Sequence, residues 1–251
     1  MKHINVAGIL VMYLFILTAC MSAGEQTSIW EDPTEENPEP TAEQAQVNKT
    51  ILALGDSYTI GTSVKETDRW PVQLAVALRA QGISVDEPLI IARNGWTTEA
   101  LANGILEISP QGTFDLVMLL IGVNDQFRGY PVADYRQQFD GLLNVAIANA
   151  AGDPGRVVVL SIPDWGVTPY AYDKGRDTAL ISALIDTFNT ANREVSQKAG
   201  VWYVDVTGIS RQAAAEPDLL ASDLLHPSGK MYALWVEEML PLAAAILQEG
   251  G

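Results

Sequence analysis

From Thr50 onward, short apolar runs alternate with longer segments whose apolar residues recur at helical spacing. The runs at 114–121 and 157–160 are continuous, which is typical of strands buried on both faces of a parallel sheet. The pattern predicts five strands, at 51–55, 88–92, 114–121, 156–162 and 201–206. It predicts five helices, at 70–81, 97–107, 132–150, 176–199 and 228–248. This alternation indicates one α/β domain with a five-stranded parallel sheet, spanning residues 50–251.

Residues 1–20 have the features of an export signal. Lys2 precedes an apolar stretch, residues 4–17, that is shorter than the roughly 20 residues of a membrane-spanning helix. The stretch ends in Leu-Thr-Ala-Cys20, which resembles the lipobox of bacterial lipoproteins, where the signal is cleaved before a cysteine that is then lipidated. The alternatives are a signal peptide with an incidental cysteine and an uncleaved anchor. A lipidated Cys20 predicts a protein attached to a membrane in the cell envelope, outside the cytoplasmic membrane.

Residues 21–49 form an acidic segment that contains prolines. Seven aspartates and glutamates fall between residues 25 and 43, with no lysine or arginine among them. Because few apolar residues are available to offset the entropy of ordering, we expect a disordered tether. Proline and like-charge repulsion should keep the tether extended between the membrane and the domain.

The charge and the scarce residue types narrow the possible chemistry. A formal net charge of −16 argues against a nucleic-acid partner and against electrostatic docking on anionic lipid. The single cysteine, Cys20, excludes an internal disulfide and a cysteine-based metal cluster. His3 and His226 are the two histidines, so any mechanism that needs an imidazole in the 50–251 domain must use His226.

Three short polar stretches follow predicted strands. They are Gly-Asp-Ser at 55–57, Asn-Gly at 94–95 and Gly-Val-Asn-Asp at 122–125. Because the carboxyl ends of parallel strands meet at one edge of a sheet, we expect these stretches to lie close together. A fourth stretch, Asp-Leu-Leu-His at 223–226, precedes the last predicted helix.

Ester hydrolysis by a serine needs a base, a group that orients the base, and donors for the oxyanion. Ser57 is the candidate nucleophile, His226 the base and Asp223 the orienting carboxylate. The backbone N–H groups of Ser57 and Gly95 and the side-chain amide of Asn124 are candidate oxyanion donors. Taken singly, each stretch has a structural alternative, as a turn or as the loop before a helix.

Taken together, in this order and on these predicted elements, the four stretches resemble the SGNH hydrolases, also called the GDSL family of esterases and lipases. The resemblance runs through residues 50–248. Ser57, Gly95, Asn124 and His226 match the four residues after which the family is named. The resemblance implies a flavodoxin-like three-layer α/β/α sandwich, an oxyanion hole formed by Ser57, Gly95 and Asn124, and a triad completed by Asp223. It implies no metal and no cofactor.

Aromatic residues close to these stretches are candidates for the substrate pocket. They are Tyr58, Trp96, Trp165 and Tyr170. The alternative for Trp165 and Tyr170 is that they pack their loop onto the sheet. The resemblance implies a serine esterase that forms an acyl-enzyme on Ser57, similar to a lysophospholipase or an acetylesterase. No residue of the sequence discriminates between the substrates of these two kinds of esterase.

Two other functions are compatible with the same residues. The first is a non-catalytic surface lipoprotein that binds carbohydrate or lipid on the same fold. The second is a metal-dependent phosphoesterase using Asp56, Asp125, Asp223 and His226, although a single histidine provides few nitrogen ligands for a metal ion. For Asp56 and Asp125 we expect instead a structural role in ordering their loops.

Overall fold

Five parallel strands form the centre of the domain in the computed structural model, which describes residues 48–249. The strands are β1 (Ile51–Gly55), β2 (Leu89–Ala92), β3 (Leu116–Leu120), β4 (Val157–Leu160) and β5 (Trp202–Val204). Their order in the sheet is β2-β1-β3-β4-β5, and every neighbouring pair is parallel. All residues of β1, β3 and β4 are buried, as expected for inner strands covered on both faces.

Five long helices cover the sheet. They are α2 (Trp70–Ala80), α3 (Thr98–Ile108), α5 (Val132–Asn149), α7 (Thr178–Ala199) and α9 (Gly229–Glu249). α2 packs on α9, whereas α5 packs on both α3 and α7. Right-handed connections between parallel strands place these two groups on opposite faces of the sheet. The predicted three-layer α/β/α fold with a five-stranded parallel sheet is therefore confirmed.

Short helices occupy several of the connections. They are α1 (Ser57–Ile60), α4 (Val123–Phe127), α6 (Pro169–Asp173) and α8 (Thr207–Arg211). Single turns of 3₁₀ helix lie at Glu66–Asp68, Pro154–Arg156, Trp165–Val167, Gln212–Ala214 and Pro217–Leu219. These elements cannot be predicted from periodicity, because three to five residues do not complete the pattern by which a helix is recognised.

Large aromatic side chains join the helical layers to the sheet. Trp70 begins α2 and Trp235 lies in α9, and both are fully buried. Tyr232 packs edge-on against Trp235, with ring centroids 5.1 Å apart, and its hydroxyl donates to the Tyr58 carbonyl at 2.9 Å. α9 is thus tied directly to the segment that follows β1.

The predicted signal peptide of residues 1–20, with Cys20, lies outside the described residues. So does the predicted tether, except for Asn48 and Lys49. The backbone of Lys49 donates to the Ser84 carbonyl at 2.8 Å and accepts from the Asp86 N–H at 3.0 Å. Among the helices of residues 48–249, none combines the length and the apolar character needed to cross a membrane.

Candidate active site

Ser57 is the first residue of α1, and only Asp56 separates it from β1. The turn requires glycine at position 55, because a Cβ there would lie 2.1 Å from Thr59 Oγ1. Asp56 caps the short helix, since its Oδ1 accepts from the Tyr58 N–H at 3.0 Å. Ser57 is 7% exposed and lies at the carboxyl edge of the sheet, where open α/β sheets bind ligands.

Asp223 and His226 lie in the loop that precedes α9 and are joined through both ring and backbone. His226 Nδ1 lies 2.6 Å from Asp223 Oδ2. Asp223 Oδ1 accepts from the backbone N–H groups of Leu225, at 3.0 Å, and His226, at 2.9 Å. The ring of Tyr58 packs against the imidazole, with centroids 5.5 Å apart. The orientation of the imidazole is therefore set by Asp223 and Tyr58.

Hydrogen bonds keep Asp223 ionised. Partial burial acts to raise its pKa, but hydrogen bonds from Ser63 and from the backbone and ring of His226 outweigh this effect and lower the pKa to about 2. An ionised carboxylate can only accept, so the proton of the neutral imidazole lies on Nδ1. Nε2 is then the nitrogen of His226 that can accept a proton.

Gly95 and Asn124 come from two further strand ends. Gly95 follows β2 in a left-handed conformation, with φ +78°, and its carbonyl accepts from Arg128 Nη2 at 2.8 Å. Asn124 lies in α4, where its Nδ2 donates to the Trp96 carbonyl at 2.9 Å. An amide nitrogen carries two hydrogens, so Asn124 retains one N–H for a ligand after binding Trp96.

Ser57, Gly95, Asn124 and His226 line one cavity of about 190 Å³. The strand ends therefore bring together the four residues that the sequence analysis selected from separate stretches. Within residues 48–249, the backbone N–H groups of Ser57 and Gly95 donate to no protein acceptor. In the same region no hydrogen bond joins Ser57 Oγ to His226, a contact that often tightens only when substrate binds.

Aromatic side chains form one wall of this cavity. Tyr58, Trp165 and Tyr170 line it, and Phe127 does so as well. The ring of Trp165 lies between Phe127 and Tyr170, at centroid distances of 5.4 and 6.5 Å. Trp165 is also buried and donates from Nε1 to Gln126 Oε1 at 2.8 Å, so it both lines the cavity and anchors its loop.

The prediction that Trp96 lines the pocket was wrong. Its indole packs against α3, where a Cβ on Gly104 would lie 2.2 Å from Trp96 Cη2. The indole lines a separate surface depression together with Ile90 and Ile108. Trp96 is connected to the site through its main chain, because its carbonyl binds Asn124.

Several residues at the site were not identified from the sequence. Phe127 lies three residues after Asn124 on the same side of α4, a helix too short to be predicted from its periodicity. The contact of Arg128 with Gly95 and the contact of Ser63 with Asp223 Oδ2 carry no local signal. Each contact depends on loops that only the folded chain brings together.

The carboxylates named for the metal-dependent alternative have other partners. Asp125 is buried and accepts from the Thr98 N–H at 3.0 Å, which orders the loop after β3. Asp56 is fully buried, and burial raises its pKa to about 8. Within the part of the chain that the structure describes, no three His, Cys, Asp or Glu side chains are placed to share a metal ion.

Known proteins resemble this chain in sequence and in fold. An arylesterase from Vibrio mimicus is 29% identical over 90 residues, which is 35% of this chain and 43% of the arylesterase. The chain thus aligns with less than half the length of that relative. The psychrotrophic esterase EstA from Pseudoalteromonas sp. superposes with a TM-score of 0.61 at 20% identity, covering 80% of this chain and 100% of EstA.

A lipase/acylhydrolase from Enterococcus faecalis superposes with a TM-score of 0.58 at 21% identity, covering 78% of this chain and 96% of the other. At these identities the superpositions establish the fold. The model of the GDSL-like Lipase/Acylhydrolase family matches residues 53–234, which contain all four stretches of the site. The chain therefore belongs to the GDSL-like lipase/acylhydrolase family of ester hydrolases.

Proposed function

We propose that the protein hydrolyses carboxylic esters through an acyl-enzyme on Ser57. The observation that supports this proposal most directly is that Ser57, His226, Gly95 and Asn124 line the same cavity, with Asp223 bound to the imidazole. Serine acyl transfer needs a nucleophile, an oriented base and oxyanion donors, and each is available among these residues.

In the first step, His226 Nε2 takes the proton of Ser57 Oγ as this oxygen attacks the ester carbonyl carbon. The resulting oxyanion accepts hydrogen bonds from the N–H groups of Ser57 and Gly95 and from the Asn124 amide. His226 then returns the proton to the leaving alcohol as its C–O bond breaks, and the acyl group stays on Ser57. Asp223 stabilises the imidazolium in between.

In the second step, a water molecule attacks the acyl carbon and gives its proton to His226. The bond between the acyl carbon and Ser57 Oγ breaks, and His226 returns the proton to that oxygen. The products are a carboxylic acid and free enzyme. These steps involve no metal or cofactor, so activity is expected to persist in the presence of a chelator.

The dimensions of the cavity favour a small acyl group. Its volume of about 190 Å³ lies below the ~300–1,000 Å³ that is common for pockets of drug-sized ligands. The wall formed by Phe127, Trp165 and Tyr170 suits an apolar or aromatic ester. We therefore propose that the enzyme resembles an acetylesterase or arylesterase more than a lysophospholipase.

A series of p-nitrophenyl esters from acetyl to palmitoyl tests this proposal. We expect kcat/KM to be highest for the shortest acyl groups and a fluorophosphonate probe to label the protein. Ser57→Ala is expected to abolish both signals. Ser84→Ala is a suitable control, because Ser84 lies before β2 at the opposite edge of the sheet and does not line the cavity.

The alternative of a non-catalytic binding lipoprotein predicts the opposite results. In that case no ester of the series would be hydrolysed and the probe would not label the protein. Labelling that persists in Ser57→Ala would place the nucleophile elsewhere and so contradict the proposed mechanism. A preference for palmitoyl over acetyl esters would contradict the short-acyl assignment but leave the esterase proposal intact.

We further propose that the enzyme works in the cell envelope, attached to a membrane through a lipidated Cys20. This proposal is supported by the apolar stretch before Cys20 and by the acidic segment that follows it. Incorporation of a clickable fatty acid by the full chain in a bacterial host, and its loss in Cys20→Ser, would test the proposal. A full chain that incorporates no fatty acid and stays in the cytoplasm would contradict it.

A further inference from the structure

The loop at Gly61–Ser63, which follows α1, is tied to the backbone of the candidate nucleophile. Gly61 is in a left-handed conformation with φ +71° and ends the helix. The N–H groups of Gly61 and Thr62 both donate to the Ser57 carbonyl, each at 3.1 Å. The position of this loop is therefore coupled to the position of Ser57.

Two hydroxyl groups extend from this loop to the two other parts of the site. Thr62 Oγ1 donates to Asn94 Oδ1 at 2.5 Å, and Asn94 directly precedes Gly95. Ser63 Oγ donates to Asp223 Oδ2 at 2.6 Å, across a sequence separation of 160 residues. Adjacent residues of one loop thus bind the segment of the candidate oxyanion donor and the carboxylate that orients the base.

The backbone of Ser63 is in a conformation that serine rarely adopts. Its φ is +66°, in the left-handed region that disfavours residues with a Cβ. Ser63 is exposed, so packing in the core does not account for this conformation. Non-glycine residues held in this region cluster at functional sites. The contact that accompanies the unusual backbone is the hydrogen bond to Asp223.

Asp223 Oδ2 is the oxygen that also binds His226 Nδ1. Asp223 Oδ1 accepts from N–H groups of its own loop, and these bonds do not fix the position of the carboxylate relative to Ser57. The hydroxyl of Ser63 fixes the carboxylate relative to Ser57, because the loop that carries Ser63 is bound to the Ser57 carbonyl. Hydrogen bonds thereby connect the Ser57 carbonyl, through the loop at Gly61–Ser63 and Asp223, to the ring of His226.

We propose that Ser63 is a positioning residue of the active site, whose hydroxyl holds Asp223 Oδ2 against His226 Nδ1 and aligns this pair with Ser57. The inference rests on the proposed esterase function. Ser63 acts through Asp223 and does not line the substrate cavity. Its hydrogen bond also favours the charged form of Asp223, whose pKa is about 2.

The test compares Ser63→Ala, Ser63→Gly and Ser63→Thr in the full chain. Alanine and glycine both remove the hydroxyl, but glycine relieves the left-handed strain that alanine retains. We expect kcat for p-nitrophenyl acetate to fall on the order of tenfold in both, with KM nearly unchanged. Threonine keeps the hydroxyl, so kcat of the folded variant is expected to stay close to the wild-type value, whereas its β-branched side chain adds strain in the left-handed region and should lower thermal stability.

Ser109 offers a matched control. It is also an exposed serine in the left-handed region, with φ +48°, but it caps α3 and does not line the cavity. Ser109→Gly and Ser109→Ala should change thermal stability in the same directions as the Ser63 variants, with wild-type kcat. A loss of activity in Ser63→Ala that glycine fully restores would show that backbone strain matters and would overturn the proposal.

A spectroscopic measurement separates this inference from the proposed function. In a full chain carrying His3→Gln, His226 supplies the only imidazole signals, and its Nδ1 proton reports on the bond to Asp223. We expect this signal to shift or broaden in Ser63→Ala and Ser63→Gly. An unchanged signal together with an unchanged kcat would overturn the role of Ser63. Failure of the wild type to hydrolyse esters would overturn the proposed function, whereas the proton signal would still test the contact.

Discussion

Asp223 binds His226 at two points, with Oδ2 at 2.6 Å from ring Nδ1 and Oδ1 at 2.9 Å from the backbone nitrogen. The three-residue spacing makes this possible, because a turn of that length returns the chain to its own carboxylate. The pair is therefore a local feature of the loop before α9. Its alignment with Ser57, by contrast, depends on contacts with distant segments.

The first prediction concerns the proton on His226. In Asp223→Asn, the side-chain amide can donate to Nδ1, which favours the tautomer with the proton on Nε2, the nitrogen that must accept it from Ser57. We expect kcat to fall by about 10⁴-fold, measured with p-nitrophenyl acetate. Asp218→Asn is a control, because Asp218 is an exposed carboxylate that pairs with Lys230. A loss smaller than about tenfold would argue against this role of Asp223.

The second prediction concerns the oxyanion. Asn124→Ala removes the amide that has one N–H free after binding Trp96, and we expect kcat to fall by about 10²–10³-fold with little change in KM. Asn144→Ala is the matched control, because the Asn144 amide donates to a backbone carbonyl of its own exposed helix face. Steady-state kinetics on both variants decide the question, and an unchanged kcat in Asn124→Ala would remove Asn124 from the oxyanion hole.

The third prediction uses one substitution in two helices. Gly104→Ala in α3 would bring a Cβ to 2.2 Å from the Trp96 indole, and such overpacking costs about 1–3 kcal/mol. In α5, a Cβ on Gly141 would meet no atom within 4 Å, so Gly141→Ala should stabilise the protein by about 0.5–1 kcal/mol. Chemical denaturation measures both effects. Equal changes in the two variants would contradict the contact between Gly104 and Trp96.

Because the Trp96 carbonyl binds Asn124, Gly104→Ala should also lower kcat. Gly141→Ala should leave kcat unchanged. Measuring activity below the unfolding temperature of both variants separates this effect from loss of folded protein. A destabilised Gly104→Ala with wild-type kcat would show that the indole moves without disturbing its own carbonyl.

The fourth prediction concerns pH and stability. Burial raises the pKa of Asp56 to about 8, against the lowering effect of the Tyr58 N–H, and Asp56 Oδ2 has no hydrogen-bond partner. In the unfolded chain the pKa of this carboxyl is about 3.9. Between these values the folded protein binds a proton that the unfolded chain does not, so the contribution of Asp56 lowers stability as pH rises. The slope is at most about 1.4 kcal/mol per pH unit, or about 3–5 °C in Tm.

Thermal unfolding from pH 5 to pH 8 measures this slope. Asp56→Asn mimics the neutral acid, keeps an acceptor for the Tyr58 N–H and should flatten the dependence. Asp140→Asn, on the exposed face of α5, is the control and should follow the wild type. Parallel curves for wild type and Asp56→Asn would show that Asp56 is ionised in the folded protein throughout this range.

Much of the fold could be predicted from the sequence, because a strand that is buried on both faces of the sheet consists of consecutive apolar residues. The runs at 114–121 and 157–160 contain β3 and β4, and the helical periodicities match the five long helices within a few residues. The short helices α1 and α4 were missed although they carry Ser57 and Asn124. Their formation depends on caps and close approaches, such as that of Gly55 to Thr59, and not on periodicity.

Part of the candidate site could also be predicted from the sequence. Ser57, Gly95 and Asn124 follow predicted strands, and parallel topology places such ends at one edge. The side chain of Trp96 was misplaced, because the direction of a side chain after a turn depends on backbone angles that the sequence does not display. Ser63 was missed, because its partner lies 160 residues away.

Short-range patterns in the chain specify the order of strands and helices, the residue types at the strand ends and the local Asp223–His226 pair. Which aromatic rings line the cavity and which hydroxyl binds Asp223 follow instead from the folded arrangement of the loops. These contacts join loops that are distant in the chain, and their geometry is set by the packing of α1, α4 and α9 around the sheet edge. Long-range positioning of that kind leaves no periodic trace in the sequence.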